Sequence, residues 1–371
     1  MKLEALPLLY DAVNITSYEE LTRLVGCLSS ARWLPANLAP ANRPVPGTLI
    51  HSLTLRLPPE TSRDLPHLSN LNHLLSLTPS LRRLSSAAPL GPVTLESGTP
   101  PTTDILAHIP AQSLPLTLVS LLGYPVHLST IAPLHAILAH VGANLVELGL
   151  TPWSLEWWRT PIDDESEVWD AVTDELEVFE NMLETIPSPD LSQLGTLVLK
   201  RGTTVGPAPG ERSNLGSAWI ASVIAWILRN PHSLRALDHL KIDDQSNAYR
   251  NYSHEALDHT ILPPLLERVQ SSLTELCWDG PPPPTPAITK LTKLHTLAVP
   301  LVNLDAYSAV EQQTTTLALS YSQPTLEDGS YEDGSSSVSE AITAFVEEDR
   351  WANVTTLVWQ GGHPEDPFGR L

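Results

Sequence analysis

Basic side chains are scarce in this chain: 21 Lys and Arg stand against 42 Asp and Glu, a formal charge of −21. A field of that sign repels phosphate backbones and anionic lipid surfaces on average. No basic run exceeds Arg82-Arg83 or Lys200-Arg201, so neither nucleic acid nor a membrane is an expected partner. Cysteine is nearly absent. Cys27 and Cys277 are far apart and form no metal-ligand spacing, which fits a reducing compartment and a cytoplasmic or nuclear location. Long apolar runs are missing too. Glu4 interrupts MKLEALPLLYD, leaving no expected signal peptide, so the sequons at Asn14, Asn251 and Asn353 are expected to be chance matches. Residues 105–146 carry no Asp, Glu, Lys or Arg, but Pro110, Pro115, Pro125 and Pro133 are expected to break any helix there. The stretch 213–228 is shorter than the roughly 20 apolar residues of a span. Only 3 Phe accompany 35 Pro and abundant Leu, a composition that suits a layered, turn-rich object.

What the chain does contain is a repeat. The pattern apolar-x-x-Leu-x-apolar occurs as IHSLTL (50–55), LVELGL (145–150), LGTLVL (194–199), LDHLKI (237–242), LTELCW (273–278), LHTLAV (294–299) and VTTLVW (354–359). Weaker copies are LRRLSS (81–86), LVSLLG (118–123) and TTTLAL (314–319). In a strand the fourth and sixth positions share one side and the intervening residues face the other. Trp278 and Trp359 at the sixth position show that this site needs bulk. Between copies lie expected helices at 17–30, 131–142, 167–186, 213–228 and 337–349. The first opens Ser17-x-x-Glu20, a capping-box arrangement, with Leu21, Leu24, Val25 and Leu28 as its apolar stripe. The expected fold is α/β: an irregular leucine-rich-repeat solenoid of roughly ten units, a curved horseshoe with parallel strands on the concave side and helices and loops outside. The segment 202–216 is expected to be flexible by composition, WDGPPPPTP (278–286) to be a spacer, with docking in an SH3- or WW-like groove as the alternative, and the acidic, Ser-rich 326–340 to be poorly ordered at least to residue 336.

The repeat, taken with LPLLYDAVNITSYEELTRL (6–24), resembles the leucine-rich-repeat region of fungal, largely basidiomycete, F-box-type proteins. Leu6, Leu9, Tyr10, Val13 and Ile15 match the junction that follows the F-box in that family, and LIHSLTLRL (49–57) stands where its first strand belongs. The chain departs from the family in lacking the F-box itself, except for a last turn at Leu3 to Leu9. The resemblance implies residues 1–48 as an N-terminal cap left by that junction, and 49–371 as the repeat array with an acidic flexible loop at about 324–337. It also implies a non-enzymatic substrate receptor of a cullin-type ubiquitin ligase, whose adaptor is a partner only if an F-box lies upstream. The alternatives are an enzyme built on the same scaffold, or a truncated product that binds no adaptor.

Motifs for chemistry are absent. No phosphate-binding glycine loop, nucleophile elbow, His-Glu-x-x-His or Cys-x-x-Cys occurs. In HEALDH (254–259) the two His are five apart, about 140° on a helix, too far round for shared metal ligation. No catalytic residue, metal or cofactor is expected. The candidate binding surface is the concave strand face: His51, Thr54, Arg56, Glu147, Thr196, Lys200, His239, Lys241, Asp243, Glu275, His295, Thr356 and Gln360, with Thr274, Thr296 and Thr355 among them. No residue type recurs in this polar strip, which suits a protein partner over a small repeated ligand. Trp153, Trp157 and Trp158 are read first as cover for the end of the core, with a binding hot spot on the rim as the alternative.

Overall fold

The computed structural model describes residues 10–30, 46–57, 67–86, 105–126, 128–152, 176–201, 204–205, 212–213, 215–244, 260–278, 285–321 and 351–361. Its strands are β1 (Ala12–Ile15), β2 (Ser52–Leu55), β3 (Arg83–Ser86), β4 (Ser120–Val126), β5 (Glu147–Pro152) and β6 (Thr196–Arg201). After the short β7 (Thr204–Val205) and β8 (Arg212–Ser213) come β9 (His239–Asp244), β10 (Glu275–Trp278), β11 (Thr296–Pro300), β12 (Thr316–Tyr321) and β13 (Thr356–Gly361). Eleven of them form one open parallel sheet in chain order, β1-β2-β3-β4-β5-β6-β9-β10-β11-β12-β13. Parallel neighbours require a crossover, and helices such as Tyr18–Ser29, Leu68–Leu77, Leu128–Val141 and Leu215–Leu228 lie in those crossovers. The fold is a solenoid-like α/β arrangement. All ten copies of the apolar-x-x-Leu-x-apolar pattern lie on strands of this sheet. The eleventh strand is β1, whose residues follow Tyr10 at one edge.

Register explains why the fourth position is leucine. Val13, Leu53, Leu84, Leu121, Leu148 and Leu197 are aligned strand to strand. The same row continues through Leu240, Leu276, Leu297, Leu317 and Leu357. From Leu53 to Leu317 the leucines of this row are 0–1% exposed. The first position is equally closed: Ile50, Leu81, Leu118, Leu145, Leu194, Leu237, Leu273 and Leu294 are all at 0%. Where that position is Thr314, the hydroxyl donates to Val310 O at 2.8 Å, so a buried polar atom is satisfied.

A backbone junction repeats with the side chains. Asp11 O, at the second position, accepts from His51 N and Ser52 N at 3.0 and 2.9 Å. One carbonyl taking two consecutive N–H groups recurs at every later step, ending with Thr315 O, which accepts from Thr355 N and Thr356 N at 2.9 and 3.1 Å. Threonine at this position adds a third donor: Thr274, Thr315 and Thr355 hydroxyls donate to Asp238 O, His295 O and Thr315 O. Central leucines in neighbouring strands are separated by 20 residues (Leu297 to Leu317) up to 49 (Leu148 to Leu197). Closing the longer loop costs only about 0.8 kcal/mol more by the logarithmic rule. Irregular spacing is therefore compatible with a regular sheet.

Several local outcomes differ from the sequence reading. The helix expected at 131–142 is present but begins earlier, as Leu128–Val141, and Pro133 lies inside it without breaking it. One interior proline costs about 3 kcal/mol, and burial of Ile131, Leu134, Ile137, Leu138 and Val141 returns about 1.5–3 kcal/mol per side chain. Pro125 is a strand residue of β4, which bulges between Leu121 and Tyr124 so that Tyr124, not Gly123, aligns with Leu150. The 202–216 segment contains the antiparallel pair β7–β8. At the first helix, Ser17 Oγ accepts from Glu20 N at 3.2 Å, but Glu20 reaches one residue further back than a capping box does. Its Oε2 accepts from Thr16 N at 2.7 Å and Thr16 Oγ1 at 2.9 Å, which holds the carboxyl below its ordinary range. The expected helix over 167–186 is described only at 176–185, where Phe179 and Leu183 are buried. The 254–259, 278–286 and 326–340 readings fall wholly or largely outside the described residues, as does the helix at 337–349.

The Leu215–Leu228 helix is buried along Trp219, Ile220, Val223, Ile224, Trp226 and Ile227, as its apolar composition requires. Its end is held by the next unit: Arg268 donates to Leu228 O, Asn230 O and Ser233 O. Two glycines separate conformational need from mere tolerance. Gly123 has φ +71, and a Cβ there would lie 2.1 Å from Ser86 O. Gly26 lies in the Tyr18–Ser29 helix and has nothing within 4 Å of its added Cβ. Gly123→Ala is expected to destabilise by at least about 1–3 kcal/mol, and Gly26→Ala to stabilise by about 0.5–1 kcal/mol. Urea denaturation of the two variants checks both signs.

Candidate functional site

The face opposite the leucine row is ordered into rows by the same register. The third-position row runs through Ala12, Ser52, Arg83, Ser120, Glu147 and Thr196, then His239, Glu275, Thr296, Thr316 and Thr356. Six candidates from the sequence, Glu147, Thr196, His239, Glu275, Thr296 and Thr356, thus fall on one line. Ten strand steps at about 4.8 Å give that line a length of about 48 Å. Thr54 and Lys241 belong to the parallel fifth-position row. Lys200 is aligned with Asp243, and Gln360 with Ser320, at the far ends of their strands. Arg56 follows β2 and donates its N–H to Ile15 O. His51 and His295 precede their strands, where their carbonyls are the two-donor acceptors. Trp153, Trp157 and Trp158 lie outside the described residues.

The polar-strip reading is incomplete. The fifth-position row runs in register through Asn14, Thr54, Ser85 and Leu122, is interrupted by the β4 bulge, and resumes through Gly149, Val198, Lys241, Cys277, Ala298, Ala318 and Val358. From β4 onward this row is small or apolar except at Lys241. The signal was present as the x between Leu and the last apolar residue of each copy, but selecting for polarity passed over it. Arg83, Ser85 and Ser120 belong to weaker copies and were missed for that reason. The face therefore has an apolar track beside a hydroxyl- and carboxylate-bearing one, the mixture from which protein-binding surfaces are built.

Several polar contacts join residues of the face to one another. His239 Nδ1 is hydrogen-bonded to Glu275 Oε2 at 2.9 Å, and its Nε2 lies 3.7 Å from Asp238 Oδ2. His51 Nδ1 is similarly bound to Asp11 Oδ1 at 2.8 Å. Arg83 Nη2 approaches Glu147 Oε1 at 3.9 Å, reaching across Ser120, which lies between them in the row. Both partners of each pair are substantially exposed, so each contact is worth at most about 1 kcal/mol and serves more to orient side chains than to hold the fold. No group of three or more His, Cys, Asp or Glu among the described residues is placed to hold a metal. Among them, too, no helix is long and apolar enough to cross a membrane.

No family model matches the chain, and no curated protein matches it.

Ser120 is the odd member of its row. It is 1% exposed, and its hydroxyl has no hydrogen-bond partner. A buried hydroxyl without a partner carries a desolvation cost that its removal relieves. Ser120→Ala is therefore expected to leave stability unchanged or to raise it by up to about 1 kcal/mol. A loss of that size in thermal unfolding would show instead that the hydroxyl is engaged.

Proposed function

We propose that this chain is a non-enzymatic protein-recognition scaffold, a leucine-rich-repeat array that grips its partner on the polar and apolar rows of the sheet face. The observation that carries the reading is the in-register third row, with a fifth row broken only at the β4 bulge beside it: some 48 Å of mixed side chains along one continuous sheet. A surface of this kind suits an extended protein partner. Its residues vary from strand to strand, whereas a repeated small ligand would call for a repeated side chain. The junction at Leu6 to Ile15 supports the narrower reading, the substrate-recognition region of an F-box-type protein in a cullin-type ubiquitin ligase, working in cytoplasm or nucleus. Within that reading the horseshoe is curved with the strand face inside, and the ligase adaptor binds only through an F-box upstream.

A second reading, an enzyme on the same scaffold, is favoured by imidazole–carboxylate contacts, of which the His239–Glu275 pair is the one within the third row, where a carboxylate orients an imidazole as in acid–base sites. That pair stands on an open face with side-chain exposures of 44% and 43%, where water competes for every proton it could move.

Affinity capture with the full chain tests the first reading. Partners retained by wild type and by Glu184→Arg, on the helix side, should bind at least about tenfold more weakly to Thr196→Arg and Glu275→Arg, a change of about 1.4 kcal/mol. Weakening by Glu184→Arg alone would move the binding surface off the sheet. Recovery of the cullin-ligase adaptor would support ligase membership, and its absence with a chain that includes the upstream exon would count against it.

A further inference from the structure

The core row is closed along its length and opens toward its ends, where Val13 in β1 is partly covered and Leu357 in β13 is more exposed still. Leu357 in β13 is 46% exposed, against 0–1% for the leucines registered with it from Leu53 to Leu317. Val354, at the first position where eight equivalents are fully buried, is also only partly covered. The other exposed large apolar residues, Leu116, Val146 and Val178, belong to no edge strand. β13 ends the strand order, and among the described residues no strand follows it. Its composition is unusual for an edge. WANVTTLVWQG (351–361) contains no charged residue and no proline, the two devices that normally keep a sheet edge from pairing. At the other edge, by contrast, β1 is preceded by the carboxylate of Asp11, which is hydrogen-bonded to His51 Nδ1 at 2.8 Å.

We infer that β13 is a dimerisation edge, and that its occupant is β13 of a second copy of this chain, paired antiparallel about a two-fold axis. Two arguments select the copy. Each chain carries a charge of −21, so two copies can approach closely only where neither presents charge, and the 351–361 segment is such a place. An isologous contact also sets each residue near its own symmetry mate, which a charged strand would oppose. With the axis at Val358, residue 357 of one copy faces residue 359 of the other, and 356 faces 360. The two-residue alternation then keeps both core-side rows on the same side of a continuous sheet. The two exposed Leu357 side chains become buried, and the pairing closes at two copies, whereas β13 against β1 would propagate without end.

Sedimentation of the full chain from about 1 to about 100 μM is the test, across the usual range of weak self-association. The expected result is a reversible dimer that tightens as salt screens the mutual repulsion. Leu357→Asp should weaken it at least tenfold while Leu116→Asp leaves it unchanged. Thr356→Lys, on an exposed residue of the other face, serves equally if circular dichroism shows Leu357→Asp to be misfolded. Val358→Cys, with Cys27 and Cys277 replaced by Ser, should oxidise to a covalent dimer. Four outcomes would overturn the inference: a monomer throughout, a Leu357→Asp variant that still dimerises, oligomers that grow past two, and no Val358→Cys cross-link.

Discussion

Every unit of this protein is fastened to the next by one carbonyl that takes two consecutive N–H groups. The junction is made wholly of backbone, so it places no demand on side-chain identity, and it occurs where the chain bends into each strand. It fixes the register of the following residues to the residue. Once that register is fixed, the fourth position can only be a side chain that fills the seam between helices and sheet, and leucine fills it in ten strands of eleven. The outward positions are released from that demand by the same geometry. Core uniformity and surface variety follow from a single constraint.

How much of this could be read beforehand depended on whether the cause was periodic. The strands were legible, including the weaker copies, because the fourth-position leucine repeats in every copy and apolar first and sixth positions in most. The first helix was legible because Ser17 and Glu20 bracket its start. The bulge in β4 was not: it depends on Gly123 adopting a left-handed turn beneath Ser86 O, a contact with a residue 37 positions earlier. The helix around Pro133 was legible from its apolar stripe, but not its start at Leu128, because the local cost of the proline is real yet smaller than the burial of that stripe. The apolar fifth row went unread for a different reason. Valine and alanine at an outward position resemble core residues until register shows which side they face.

Polar contacts tie residues of the face to one another: His239 to Glu275 and His51 to Asp11 by hydrogen bonds, and Arg83 to Glu147 at 3.9 Å. Such contacts offer a partner a face defined by shape and by local hydrogen bonding. Long-range attraction would act elsewhere on the molecule, where acids such as Glu177 and Glu184 crowd the helical side.

The in-register rows also make the molecule extensible. A change confined to a crossover leaves every address on the face where it was. Adding or deleting a whole strand-plus-crossover unit translates the addresses beyond it by one strand width, about 4.8 Å, without altering their order. A single residue inserted inside the six-residue pattern does the opposite, exchanging the two sides of that strand. Such a chain can be lengthened, shortened or re-lettered by unit duplication and point change, while the one thing it cannot absorb is a slip of one.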